Sequence, residues 1–320
     1  MRDSNTMKRT LFKIGLFGVL ITFCYAFAIL VPYQGKNQNS LYANLDKMAR
    51  LRSIETPRLI LIGGSNVSFG LNSEQIQKET GCEVINLGLH AGVGLNFMIK
   101  QVIDELRAND LVILCPEYQQ LTTMFYGSDE LLTMTCDVDP SLKSKLSKKQ
   151  VSKLINEMPS YVGRKYFQWA GHYLPQRKKA NSLLYTRQQF NKYGDAVAHH
   201  DMKRKKVKPK PISDIPNKDY LNVIENYRRQ ILEKNAHIAF SYPAHQYSSF
   251  SASGAFIEGL EKEIDNIFTP QEIINSPSSE AFADSLFFDT PYHLTLAGKT
   301  LRTEQFIANL KEHLALGGKN

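Results

Sequence analysis

Residues 59–62, Leu-Ile-Leu-Ile, form an apolar run too continuous for a half-exposed segment. Such a run reads as a strand covered on both faces, as inside a parallel sheet flanked by helices. That assignment narrows the chain to an α/β architecture. Gly63 and Gly64 follow and allow a sharp turn, and Ser65 comes next. Ser65 then sits at the carboxyl end of the strand, where open α/β sheets hold their ligands. Asn72 or Ser73 caps a helix to about residue 80, with Glu74 in its first turn. A serine so placed is either a nucleophile or a turn residue bonded to its own backbone. A nucleophile elbow is excluded, because Val67 stands where glycine is required. Neither a phosphate loop nor a G-x-G-x-x-G fingerprint surrounds Gly63 and Gly64, so a nucleotide-binding reading lacks its loop.

The later segments repeat the strand and helix alternation. Strands are expected over 83–88 and 110–117, separated by a Gly-rich turn at 89–94 and a helix over 95–108. A helix over 219–235 carries Tyr220, Val223, Ile224, Tyr227 and Ile231 at helical spacing. It leads to a fourth parallel strand over 238–243, after which His245 is read as a loop residue within reach of the sheet's carboxyl edge. A helix over 255–268, a short fifth strand or extended lead-in at 286–288 and a closing helix over 296–314 complete the chain. The 320 residues suit one large α/β domain with an insertion.

Residues 14–31 carry no charge. As a helix they span about 27 Å, close to the roughly 30 Å of a bilayer's hydrocarbon core. Arg2, Lys8, Arg9 and Lys13 precede them, which orients the N-terminus to the cytoplasm and the rest of the chain outside. Ala26-Phe27-Ala28 resembles a signal-peptide cleavage site, but Ile29-Leu30-Val31 continues the apolar run and favours an uncleaved anchor. Small residues do not precede Cys24, which argues against lipidation. A polar linker over 35–40 and an amphipathic helix over 41–54 connect the anchor to the first strand.

The net charge of +8 is concentrated at the N-terminus and in the middle of the chain. Lys143, Lys145, Lys148, Lys149 and Lys153 form one basic group, Arg177, Lys178 and Lys179 another, and Lys203, Arg204, Lys205, Lys206, Lys208 and Lys210 a third. Tyr161, Tyr166, Phe167, Trp169 and Tyr173 lie between the first two. Over 137–216 this reads as a helical insertion with an exposed basic arm near 203–210. Either a solvated charge run or a contact with anionic lipid or acidic glycan fits that composition. An extracytoplasmic location argues against nucleic acid. Outside the anchor, Cys82, Cys115 and Cys136 cannot all pair, and no disulfide framework is expected. His199 and His200 lack ligand-type neighbours at metal spacing, so no metal site and no cofactor are assigned.

A strand followed by Gly-Gly-Ser65-Asn66 resembles the first block of the SGNH (GDSL-type) hydrolases, in which the serine is the nucleophile and the residue before it is usually Asp rather than Gly64. Asn86-x-Gly88 is similar to the second block, whose glycine donates a backbone N–H to the oxyanion. The family's spacing fits Gly92 with one extra residue, leaving Gly88 as the alternative. Where the family has Asn completing the oxyanion hole, this chain has Glu117 in Cys115-Pro116-Glu117-Tyr118. An ionised carboxylate cannot donate a hydrogen bond. Glu117 must therefore be protonated or reoriented, or Tyr118 takes its place, or the site is weaker. Asp289 and His293, just before the last helix, resemble the family's closing Asp-x-x-His with one residue more, and Thr290 stands at the usual Asp position. Asp284 is the fallback.

The resemblance covers about 57–120 and 217–315. It implies a three-layer α/β/α, flavodoxin-like fold with a parallel sheet, one N-terminal transmembrane helix and a helical insertion. The expected divisions are a cytoplasmic N-terminus (1–13), an anchor (14–33), a linker and helix (34–56), a two-part catalytic-type domain (57–136 and 217–320) and the insertion (137–216). The implied triad is Ser65, His293 and Asp289, with Ser65, Gly92 or Gly88 and position 117 around the oxyanion. An anchor with a large insertion is similar to the branch serving cell-surface polymer acylation. That implies an extracytoplasmic serine esterase or O-acyltransferase acting on a polysaccharide or related polymer, with a membrane-bound O-acyltransferase as a partner. The alternative is a non-catalytic partner or glycan-binding protein that keeps the fold.

Overall fold

The computed structural model describes residues 2–31, 38–55, 57–172, 182–213 and 218–317. Tyr173, the Arg177–Lys179 cluster (177–179) and most of the expected linker lie outside the described residues. Helix α1 (Arg2–Leu30) leads the chain, and its apolar part, Asn5–Leu30, is long enough to cross a membrane, consistent with a signal anchor or a signal peptide. A single 3₁₀ turn precedes α2 (Ala43–Ser53).

Four parallel strands follow: β1 (Arg58–Gly63), β2 (Glu83–Asn86), β3 (Leu111–Cys115) and β4 (His237–Phe240), in the spatial order β2-β1-β3-β4. Every residue of β1 is buried. The period of two divides the strand between layers. Ile60 and Ile62 join the cluster of Val112, Leu114, Ile224 and Leu260, whereas Leu59 and Leu61 join Ile113, Val67, Ile76, Phe306 and Leu310. The sheet is therefore covered on both faces, as the apolar run demanded. The helices of its first half are α3 (Ser65–Gly70), α4 (Ser73–Thr80) and α5 (Leu95–Ile103). Between β3 and β4, α6 (Asp129–Val138) runs up to the start of the insertion, the insertion supplies α7 (Lys148–His172) and an extended stretch, and α8 (Lys218–Glu233) returns to the sheet.

The expected strands end earlier, β2 at Asn86, β3 at Cys115 and β4 at Phe240, and three further differences stand out. Helix α3 begins at Ser65 itself, where only a turn was expected. Helix α5 stops at Ile103 rather than 108 because Asp110 accepts the Arg107 N–H (2.7 Å) and Arg58 takes the Glu105 carbonyl (2.8 Å), which turns the chain out of the helix. Residues 286–288 form no fifth strand of the sheet. Phe287 makes one antiparallel bridge with Leu294 and so closes the loop between them. A separate parallel pair, β5 (His245–Gln246) and β6 (Ala281–Phe282), lies beside it with α9 (Tyr247–Ser251) and α10 (Gly254–Asp265), and α11 (Leu296–Gly317) closes the fold.

Candidate active site

In a sheet ordered β2-β1-β3-β4, the chain winds one way from β1 to β2 and the other way from β1 to β3. The carboxyl ends of β1 and β3 therefore border the crevice in which such sheets bind ligands. Ser65 follows β1 and Glu117 follows β3. The strand ends at Gly63 and the chain bends at Gly64 into α3, as expected, without a positive φ at either glycine; both also allow a close approach. A Cβ on Gly63 would lie 2.0 Å from the Cys115 carbonyl oxygen, and one on Gly64 would lie 2.5 Å from Glu117 Oε1. Ser65 is thereby set on the first residue of α3, with the helix held from both sides. Asn66 Nδ2 donates to the Cys115 carbonyl (3.1 Å), and the buried Arg302 of α11 donates to the Asn66 carbonyl (2.9 Å) and to Glu280 (2.9 Å).

His293 Nε2 lies 2.8 Å from Ser65 Oγ, and its Nδ1 lies 2.8 Å from Asp289 Oδ1. The residue added between Asp289 and His293 is absorbed by a turn in which Thr290 Oγ1 accepts the His293 N–H (3.1 Å). Phe288 N–H donates to the His293 carbonyl (2.7 Å), below the Phe287–Leu294 bridge. Phe69 stacks on the imidazole at 3.9 Å and 9°, which fixes the ring plane. Tyr185 donates to Asp289 Oδ2. Burial opposes the charged form of Asp289, but the bonds from His293 and Tyr185, with Lys205 nearby, outweigh it and hold the carboxyl below its usual range. The same burial, the hydrogen bond and the Asp289 charge push the Tyr185 phenol up. Asp284 is occupied elsewhere: its Oδ1 accepts the Ser248 N–H (3.0 Å).

Glu117 is not oriented as an oxyanion donor. Its Oε1 lies 2.8 Å from Ser65 Oγ and accepts the Asn66 N–H (3.1 Å). Tyr118 does not replace it, because its ring packs edge-on against His245 and Phe256. The glycines expected to donate are engaged as well: Gly88 N–H bonds Asn86 Oδ1 (2.9 Å) and Gly92 N–H bonds His90 Nδ1 (3.0 Å). Both positions are close-packed, against Ser68 N at 2.7 Å and Leu131 Cδ1 at 2.5 Å for an added Cβ. Leu89, His90 and Ala91 face the cavity in their stead. Burial holds the His90 imidazole low, against the pull of Glu117. The Ser65 N–H, at the first position of α3, has no hydrogen-bond partner among the described residues. His245 lies behind the catalytic-type loop, stacked on Tyr292 at 4.9 Å, and burial lowers it to about 4.

Ser65, Glu117, Asp289 and His293 share a cavity of about 720 Å³. The basic segment forms one wall. Lys205 N–H donates to the Phe288 carbonyl (2.7 Å), Gln246 Nε2 to the Val207 carbonyl (3.2 Å), and Lys210 N–H to Ser249 Oγ (2.9 Å). The extended backbone so pinned sets Lys206, Lys208 and Lys210 along the cavity rim, and residues 203–206 and 208–210 are exposed, as expected of a basic arm there. Two participants escaped sequence reasoning, Phe69 and Tyr185; the basic run was read, but not its place beside the cavity. Only the Tyr and Phe residue types hinted at them, because their chain distance from His293 hides the contact. Among the described residues no group of His, Cys, Asp and Glu has the makings of a metal site. No protein-family model matches the chain, and no curated protein is significantly similar to it.

Proposed function

We propose that this protein is a membrane-anchored, extracytoplasmic serine esterase or O-acyltransferase acting on a cell-surface polysaccharide or related polymer. One observation carries the reading: Asp289, His293 and Ser65 stand in one hydrogen-bonded line at the switch point of a parallel sheet, open to a cavity. The resemblance to SGNH hydrolases supports the same roles, and the topology follows from the basic residues of α1 that precede the apolar stretch 14–31.

In this mechanism Ser65 Oγ attacks the acyl carbonyl and its proton passes to His293 Nε2. Asp289 orients the imidazole and stabilises the imidazolium. The developing oxyanion is met by the Ser65 N–H at the start of α3. Collapse breaks the bond to the leaving alcohol, which departs with the proton from His293 and leaves an acyl ester on Ser65. A hydroxyl of the polymer, or water, then gives its proton to His293 and takes the acyl group, restoring Ser65. No cofactor enters this sequence. A membrane-bound O-acyltransferase is the partner the resemblance implies. Labelling with a fluorophosphonate probe tests the reading: wild type should label and Ser65→Ala should not.

Glu117 supports a second reading, a non-catalytic SGNH-like partner or glycan-binding protein. A carboxylate in contact with Ser65 Oγ competes with His293 for the serine proton. Failure of the wild-type protein to label would favour it.

A further inference from the structure

The last turns of α1 are not loose against the rest of the chain. Lys165 of α7 donates to the carbonyls of Ala28 (2.8 Å) and Val31 (2.7 Å) and pairs with Asp137 of α6 (2.8 Å). These are end-of-helix carbonyls that lack partners within α1, and a cation suits that terminus. Tyr166 O–H donates to the Cys24 carbonyl (2.7 Å), and Ala28 is left only 3% exposed. Residues 165 and 166 therefore lie alongside about 10 Å of α1, at about 1.5 Å of rise per residue from Cys24 to Val31. The opposite side of this stretch is uncovered: Phe23, Phe27 and Leu30 are exposed. Beside Tyr166, α7 displays Phe167 at 82% exposure and Trp169 at 52%, with Arg164 and Lys165 adjacent.

We propose that the C-terminal half of α7 lies in the outer interfacial layer of the membrane that α1 crosses, with Phe167 and Trp169 seated at the boundary of headgroups and acyl chains. The inference rests on the reading of α1 as a retained anchor. If residues 14–31 fill the hydrocarbon core, Cys24 lies inside the membrane and Val31 at its outer edge. A helix hydrogen-bonded to both cannot stand clear of the interface, a layer in which amphipathic helices bury their apolar faces by roughly 5–10 Å. Aromatic rings gather at that depth. Because Lys165 also pairs with Asp137, α6 transmits this depth to the domain. Membrane contact then belongs to the insertion as well as to α1.

Trp169 is the only tryptophan in the chain, so its fluorescence reports this position alone. The full chain is reconstituted in phosphatidylcholine–phosphatidylglycerol vesicles with bromine high or low on the acyl chains. The expected result is flotation with the vesicles, loss of acrylamide access, and about twofold quenching that is stronger with shallow bromine, the depth of interfacial aromatic rings. Lys165→Met should float equally but show weaker quenching. Flotation with no bromine quenching overturns the interfacial placement and leaves the anchor standing. If Trp169 is then shielded from acrylamide as well, a protein surface covers it instead. A chain that does not float overturns the anchor and this inference together. Neither result touches acyl transfer, which the labelling of Ser65 decides separately.

Discussion

Glu117 Oε1 lies 2.8 Å from Ser65 Oγ, the same distance at which His293 Nε2 approaches from the other side. With Asp289 bonded to His293 Nδ1, the groups form a line with three contacts. Each contact needs a bridging hydrogen. A neutral imidazole and a serine hydroxyl supply two between them. The third must come from a protonated Glu117 or from an imidazolium. In the first case Ser65 can donate to His293 and the base is free. In the second the base is already occupied and Glu117 takes the serine hydrogen.

Glu117→Gln separates these cases. The amide can donate to Ser65 Oγ only by giving up the Asn66 N–H that Oε1 accepts, so the fluorophosphonate labelling rate should approach that of wild type at neutral pH. Glu117→Ala removes the contact and should slow labelling by about 10²-fold or more, in the range of a lost proton-handling group. An inactive Gln variant beside an active Asp variant would show that the carboxylate is itself the acceptor.

Gly64 should prove to be the partner of Glu117. An added Cβ would stand 2.5 Å from Oε1 and 2.7 Å from Cδ. Gly64→Ala is expected to displace the carboxylate, reproduce the labelling defect of Glu117→Ala and cost about 1–3 kcal/mol of stability through overpacking. Combined with Glu117→Ala, it should add little further defect, since the two act on one contact. Additive losses in a double-mutant cycle would refute the coupling. An Asp at position 64 would likewise collide with the Glu117 carboxylate.

Much of the sheet was legible because burial on both faces leaves a local mark: the run 59–62 and the alternation of later segments. Ser65 was legible because it follows that run directly. Glu117 was noticed as a departure, but its direction was not, since a side chain's aim depends on the space Gly64 leaves open. Tyr185 and Lys47 carry no local mark at all. Tyr185 meets Asp289 from 104 residues away, and Lys47 reaches Asn86, Gly88 and Gly194. The contacts of Tyr185 and of Lys47 with Gly194 exist only after the insertion has folded back, and the others only after α2 has packed against β2.

Lys47 should make stability depend on pH. Burial lowers it from 10.5 to about 7, although Asp195 opposes the shift. Below pH 7 the folded and unfolded states both hold the proton, and the cost of burying the charge is fully present. Between about 7 and 10.5 the unfolded chain binds more protons than the folded one, so this group's contribution to stability rises with pH. Lys47→Met should lose Lys47's share of that rise and keep the part from Lys299, which burial lowers to about 8. It should also be less stable at neutral pH by about 2–4 kcal/mol, because three buried carbonyls lose their donor. Urea unfolding of both proteins across that range is the measurement. A parallel slope in the variant would assign the pH effect elsewhere.

The assignment of Ser65, His293 and Asp289 makes a graded prediction. In a unit that shares one proton path, loss of the nucleophile or base is far costlier than loss of the orienter, roughly 10⁶ against 10⁴ in the subtilisin series. Ser65→Ala and His293→Ala should therefore both abolish release of p-nitrophenol from an acetyl ester, while Asp289→Ala leaves a trace. Tyr185→Phe should fall between Asp289→Ala and wild type. It keeps the aromatic wall but removes one of the hydrogen bonds that hold the Asp289 carboxyl low, so the carboxylate should protonate at higher pH and the acid limb of the rate profile should move up. Circular dichroism establishes that each variant is folded. A folded Ser65→Ala protein with full esterase activity would remove the nucleophile from this position. A wild type inert toward esters, whose Ser65→Ala variant still supports polymer modification in cells, would replace acyl transfer by the binding role, and the line from Asp289 to Glu117 would then be a structural device that fixes the cavity wall.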